Sequence, residues 1–166
     1  MLKGLLLLIL MVATCAGALT QTLEKTPAYF YDLYGKTTSE KTVSSYGFVY
    51  TKVGQVEVKG QFSVRNYQSE KMRVTVIYAL PDLKAVAIQY SLSQDWTKEQ
   101  IGAALEAYGS AWAEIKEDTL RFYISRDGTK AIPVFNMLHI NSSGIEAEII
   151  KAHAAHEAER KKVPKF

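Results

Sequence analysis

The chain of 166 residues is 48% hydrophobic and 22% charged, carries a formal net charge of +3 and holds one cysteine, Cys15. So slight a positive excess argues against a nucleic-acid partner, because phosphate binding needs a concentrated basic face. A lone cysteine leaves no intramolecular disulfide framework and no site built from several thiolates.

Residues 1 to 18 have the order of a secretory signal peptide: Lys3, the apolar run Leu5 to Ala13, then Ala16-Gly17-Ala18. The run is about half the roughly 20 residues of a spanning helix. No comparable run recurs, so no transmembrane segment is expected in the mature chain. Cleavage after Ala18 would leave residues 19 to 166 as one domain, without Cys15, and with 19 basic against 17 acidic residues. A periplasmic or secreted protein is expected. Val12-Ala13-Thr14-Cys15 also resembles a lipobox, in which Cys15 would be lipidated and the protein anchored.

Thr26-Pro27 ahead of Ala28 to Tyr34, with Gly35 behind, predicts a short helix. Lys36 to Lys41 is polar and reads as a loop. Tyr46 to Val53 then predicts a strand, with a turn at Gly54-Gln55. Val56, Val58, Phe62 and Val64 alternate with Glu57, Lys59, Gln61 and Arg65, the pattern of a strand with one wet face. Met72 to Leu80 alternates in the same way, as do Val86, Ile88, Tyr90 and Leu92 after a Pro81-Asp82 turn. A four-stranded meander is the expectation.

Thr97-Lys98-Glu99-Gln100 is a capping box, Trp96 and Ile101 occupy the staple positions, and Ile101, Ala104, Leu105 and Tyr108 form an apolar stripe. The helix from Thr97 is read to stop at Gly109, the alternative being continuation through Ala111, Trp112 and Ile115. Leu120 to Ile124, an Asp127-Gly128 turn, and Ile132 to Ile140 predict one later hairpin, whose Pro133 suggests an edge or a bulge. Ser143-Gly144-Ile145-Glu146 reads as a second capping box, opening a C-terminal helix over about 143–161. The order implies an α+β domain, an antiparallel sheet with helices on one face.

Tyr34-Gly35, Ala87-Ile88-Gln89-Tyr90, Trp96 to Ile101 with Leu105, Trp112, and Arg126-Asp127-Gly128 resemble small uncharacterised exported bacterial proteins built as a signal peptide plus one α+β domain. The resemblance implies a bacterial envelope or secreted setting and carries no activity. Between the helix and the second tryptophan that family has an asparagine and more glycine, whereas this chain has Tyr108-Gly109-Ser110.

Few residues suggest chemistry. His153, His156 and Glu157 lie at helical spacing, but zinc needs three or four ligands in tight geometry, and a solvated helix face is the expected reading. His139 reads as a strand histidine held by a hydrogen bond. No G-x-S-x-G elbow and no phosphate loop occurs, and Glu117-Asp118 and Glu146 with Glu148 are explained by a turn and by a helix N-terminus. Trp96, Tyr78, Tyr90 and Tyr108 are assigned to the core, while Tyr29, Tyr31, Tyr46 and Tyr123 are less constrained. Asn141-Ser142-Ser143 is a formal sequon. Arg160, Lys161, Lys162 and Lys165 read as a solvated helix end.

No catalytic residue, cofactor or metal is therefore expected. The reading is a non-catalytic binding or accessory domain, with an unidentified protein or envelope partner. It would dock on the wet face of the meander (Glu57, Lys59, Gln61, Arg65) or on the C-terminal helix. A small hydrolase using carboxylates and a lipid-anchored envelope component are the alternatives.

Overall fold

A computed structural model describes residues 23–50, 54–109, 111–117 and 120–162. The expected signal peptide with Cys15, the link between the first two strands, Asp118 and Lys165 lie outside the described residues.

The domain is α+β. Helix α1 (Pro27–Tyr34) begins with its proline in the first turn and ends at Gly35, whose φ of +79° suits a residue without Cβ. The strands are β1 (Ser39–Tyr50), β2 (Gly54–Gln68), β3 (Arg73–Ala79), β4 (Lys84–Ser91), β5 (Trp112–Glu117), β6 (Leu120–Ser125), β7 (Lys130–Val134) and β8 (Met137–Asn141). Helix α2 (Lys98–Glu106) follows β4, and α3 (Ser143–Lys162) follows β8. All eight strands form one antiparallel sheet in the order β1-β2-β3-β4-β8-β7-β6-β5.

The helices occupy both faces of this sheet, not one. Phe30 of α1 and Ile101 and Leu105 of α2 share a core with Tyr67, Val74, Val76, Tyr78, Ile88, Leu138 and Ile140. Ile145 and Ile149 of α3 pack instead with Phe48, Val56, Val58, Phe62, Val64, Ile77 and Ala87. Strict alternation explains the division, since Val74, Val76 and Tyr78 point to one side of β3 and Ile77 to the other. In β4 a register shift beside Tyr78 places Ala85 with the first core and Val86 against the second, so the alternation read from Val86 does not hold there.

Several boundaries differ from the sequence reading. β1 begins at Ser39, inside the expected loop, because Ser39 and Glu40 pair with Asn66 and Arg65. Gly54-Gln55 already belongs to β2, paired with Tyr50 and Val49. Helix α2 stops at Glu106, short of Gly109 (φ +119°), and does not run through Trp112. Trp112 opens a strand, and its indole donates to the Leu105 carbonyl at 2.9 Å, satisfying one of the carbonyls at the end of α2. The expected hairpin across Asp127-Gly128 is present as β6–β7, but its second arm is two strands, β7 and β8, and an unexpected β5 pairs with β6 on the other side. Pro133 is consequently interior to the sheet. Its missing N–H is tolerated because the ladder to β6 reaches only Ala131. The cap of α3 is Ser142, which accepts from Ile145 N at 3.3 Å, rather than Ser143.

Phe135 forms the β7–β8 turn with Asn136, at φ +52° and 79% exposed. A side chain that buries so little offsets nothing of the strain of a left-handed backbone. Phe135→Gly is expected to raise stability by about 0.5 to 1 kcal/mol, read as a higher urea midpoint at unchanged slope.

Candidate functional site

The locally built features come first. Thr97 Oγ1 accepts from Gln100 N at 3.2 Å, and Gln100 Oε1 accepts from Thr97 N at 2.9 Å, so α2 starts with a closed capping box. Trp96 precedes it, its indole donating to the Asn136 carbonyl at 3.1 Å. Asn136 donates in turn to the Leu92 carbonyl at 2.8 Å. These bonds fix the β4–α2 loop to the β7–β8 turn.

Between α1 and α2 lies a groove of about 900 Å³. Tyr29, Leu33 and Tyr34 line it from α1, and Ala103, Ala104, Ala107 and Tyr108 from α2 and its end. Met72, Tyr90, Leu92 and Trp96 add apolar surface, and residues 68–73 together with Gln89, Ser91, Ser93, Gln94, Gln100, Asn136 and Met137 complete the lining. The volume suits a drug-sized ligand, and a mostly apolar lining with a few convergent polar groups is the usual composition of such sites. Alanines at 103, 104 and 107 are what leave the space, since longer side chains there would fill it.

A chain of phenols lies in the groove: Tyr34 donates to Tyr90 Oη at 3.4 Å, and the Tyr90 and Tyr108 hydroxyls are hydrogen-bonded at 2.5 Å. Burial, then the neighbouring phenols, holds the Tyr34 and Tyr90 hydroxyls well above the usual range. They are neutral hydrogen-bonding groups. The assignment of Tyr90 and Tyr108 to the core is thus accurate for their rings and incomplete for their hydroxyls. Of the less constrained tyrosines, Tyr31 is exposed, Tyr123 is buried at 8%, and Tyr29 lines the groove.

The residues that suggested chemistry do not meet here. Glu70 is the only carboxylate among the groove-lining residues. Asp127 and Glu24 line a separate space of about 40 Å³. There Asp127 accepts from Ser125 Oγ and from Thr129 N, and the Ser125 bond chiefly lowers its pKa, the arrangement of a turn carboxylate. Glu117 ends β5. On α3, His153 packs its ring 5.1 Å from that of Tyr50, His156 is exposed, and Glu157 accepts from Arg160 at 2.9 Å. No group of three metal-binding side chains gathers among the described residues. Glu148 pairs loosely with Lys151, but Glu146 is buried, so the helix N-terminus does not account for it alone. The Asn141 side chain is buried at 2% exposure and donates to Glu146, which closes the formal sequon in the folded state. On the wet strand face Glu57, Lys59 and Gln61 are exposed, while Arg65 pairs with Glu40 at 2.8 Å and lies over the Tyr78 ring.

His139 is buried on the α3 side of the sheet, and its Nε2 has no hydrogen-bond partner among the described residues, where a held histidine was expected. Burial pushes its pKa from the usual 6.5 down to about 4. The folded state therefore holds the neutral ring while the unfolded chain takes up a proton, so acid favours unfolding. This stability is complete above pH 6.5 and lost progressively as the pH falls toward about 4. The loss is at most about 3 kcal/mol. His139→Leu should flatten the dependence of unfolding free energy on pH across that window.

Compared with protein-family models, curated proteins and solved structures, the chain matches none.

Proposed function

We propose that this chain is an exported, non-catalytic binding domain that acts in the bacterial envelope or outside the cell, and that the groove between α1 and α2 holds its ligand. The observation that carries the reading is the groove itself. About 900 Å³ of space is lined by tyrosines, Trp96, leucines and alanines together with glutamines and serines, and tyrosine hydroxyls hydrogen-bond to one another within it. Such a lining recognises an apolar, ring-bearing body by contact area and stacking and orients it by a hydrogen bond. Chemistry on a bound molecule would need a base or nucleophile, and the groove offers phenols held in their neutral form. The hydrolase alternative needs paired acids, and Glu70 alone lines the groove.

The signal-like leader and the resemblance to small exported bacterial proteins support the location. Mass measurement of the mature N-terminus distinguishes the two exported forms: Leu19 means release, and a diacylated Cys15 means anchoring.

Titration with phenylnaphthylamine, a neutral apolar fluorophore, tests the site. Saturable one-to-one brightening is expected, lost when Ala103→Phe fills the groove. An absence of saturable binding, or binding that Ala103→Phe leaves intact, removes the basis of this reading.

A further inference from the structure

Phe135 is the most exposed large apolar side chain among the described residues, and it stands on a left-handed backbone at φ +52°. Single exposed apolar residues are ordinary on a surface. A bulky one in a conformation that favours glycine is not, and strain of this kind gathers where a surface works. The turn beneath it is held firmly. Beyond the pairing of Val134 with Met137, the Phe135 carbonyl accepts from Trp96 N at 3.2 Å, and the Asn136 carbonyl accepts from Leu92 N at 2.9 Å and from the Trp96 indole at 3.1 Å. Leu92, Trp96, Asn136 and Met137 line the groove, whereas Phe135 does not. The ring is therefore presented outward from a fixed base on the groove's own rim. Ring and groove also match in charge, since residues 133–138 are uncharged and every ionised side chain of the groove lining falls within residues 70–73.

We propose that the partner of Phe135 is a second copy of this chain, each copy setting its Phe135 ring in the other's groove against Trp96, Tyr108 and the alanines of α2. Because ring and groove adjoin, one two-fold axis beside the turn closes both contacts at once. Were they on opposite sides of the domain, the same contact would build an open chain. A turn already fixed by its hydrogen bonds loses little freedom on docking, so even a small contact retains most of its binding energy. The proposal rests on the binding reading only in that the groove admits an apolar ring, and it makes the second copy a competitor of the free ligand.

Sedimentation equilibrium of the mature chain tests this. A monomer–dimer equilibrium with a dissociation constant of about 1 to 100 μM is expected, as a contact of few residues gives. Phe135→Gly should weaken the dimer at least about thirtyfold, the effect of losing a hot-spot aromatic, while Phe135→Tyr, which keeps a ring, should hold it within about threefold. Ala103→Phe, which fills the groove, should also abolish the dimer, and saturating phenylnaphthylamine should dissociate it. Urea unfolding at a concentration where the chains are single verifies that the variants fold. A chain that stays monomeric up to about 1 mM overturns the proposal, and if that monomer binds the fluorophore the groove reading stands alone. A dimer that survives Phe135→Gly or Ala103→Phe forms through another surface and overturns the proposal too. A dimer lost with both, in a chain that takes up no fluorophore even when dilute, upholds the second copy and removes the free ligand. If there is neither dimer nor fluorophore binding, both readings fall.

Discussion

Glu146→Ala is expected to destabilise the domain by about 3 to 5 kcal/mol, the range for removing one partner of a buried ion pair. The Glu146 side chain is 8% exposed and that of Lys130 11%, and Lys130 Nζ donates to Oε2 at 3.3 Å. The other oxygen, Oε1, accepts from Asn141 Nδ2 at 2.7 Å. Lys130 also lies 4.7 Å from the centre of the Phe122 ring and 5.4 Å from that of Tyr50. Without the carboxylate, the ammonium keeps these π faces among the described residues, and they compensate a fraction of its lost hydration. Asn141 would lose its nearer acceptor as well, keeping the Val49 carbonyl at 3.5 Å.

The position of Glu146 magnifies the effect. It stands in the first turn of α3, between Ile145 and Ile149, and these three are the buried residues of that helix. Their loss of register would loosen the second core. Replacing both charges together, Lys130→Met with Glu146→Leu, should recover most of the stability, because hydrophobic groups of similar volume need no compensation. Urea denaturation of the two single variants and the double gives the coupling directly. A single-variant loss below about 1 kcal/mol would mean that water reaches the pair.

How much of this was legible in the sequence depends on the range of the interactions. The start of α2 was, because a capping box is written within four residues. So were β2 and β3, where alternation extends over many positions. Trp112 to Glu117 was not legible as a strand: Trp112 and Ile115, three apart, suit a helical stripe and fall on opposite faces of a strand, so no period of two marks β5. The β7–β8 turn was hidden because its positive φ falls on Phe135, with no glycine to mark it. Alternation also says that a strand has an apolar face without saying what covers it. That left two cores looking like one and placed the helices on a single side. The groove draws on residues 29–34, 68–73, 89–108 and 136–137, so no local pattern could announce it. The alanines at 103, 104 and 107 were the only trace, and alanine on a helix is more readily taken as propensity than as space.

Leu105→Ala is expected to lose about 2 to 5 kcal/mol, the range for a buried leucine whose surroundings relax only in part. Leu105 is 4% exposed, one turn beyond the equally buried Ile101, and these two side chains are what α2 contributes to the first core. The indole of Trp112 donates to the Leu105 carbonyl, so the same residue joins the helix end to β5. Tyr108 lies one further turn along, in hydrogen-bond contact with Tyr90. A cavity under Leu105 should therefore do more than lower the urea midpoint. If the binding reading holds, it frees the end of α2 to shift, and phenylnaphthylamine affinity should fall even under conditions where the variant is fully folded. A stability loss below about 0.5 kcal/mol would mean that the stripe is not core. A full loss with unaltered affinity would mean that the groove does not depend on how α2 is seated, and that its ligand is held by α1 and the β2–β3 connection.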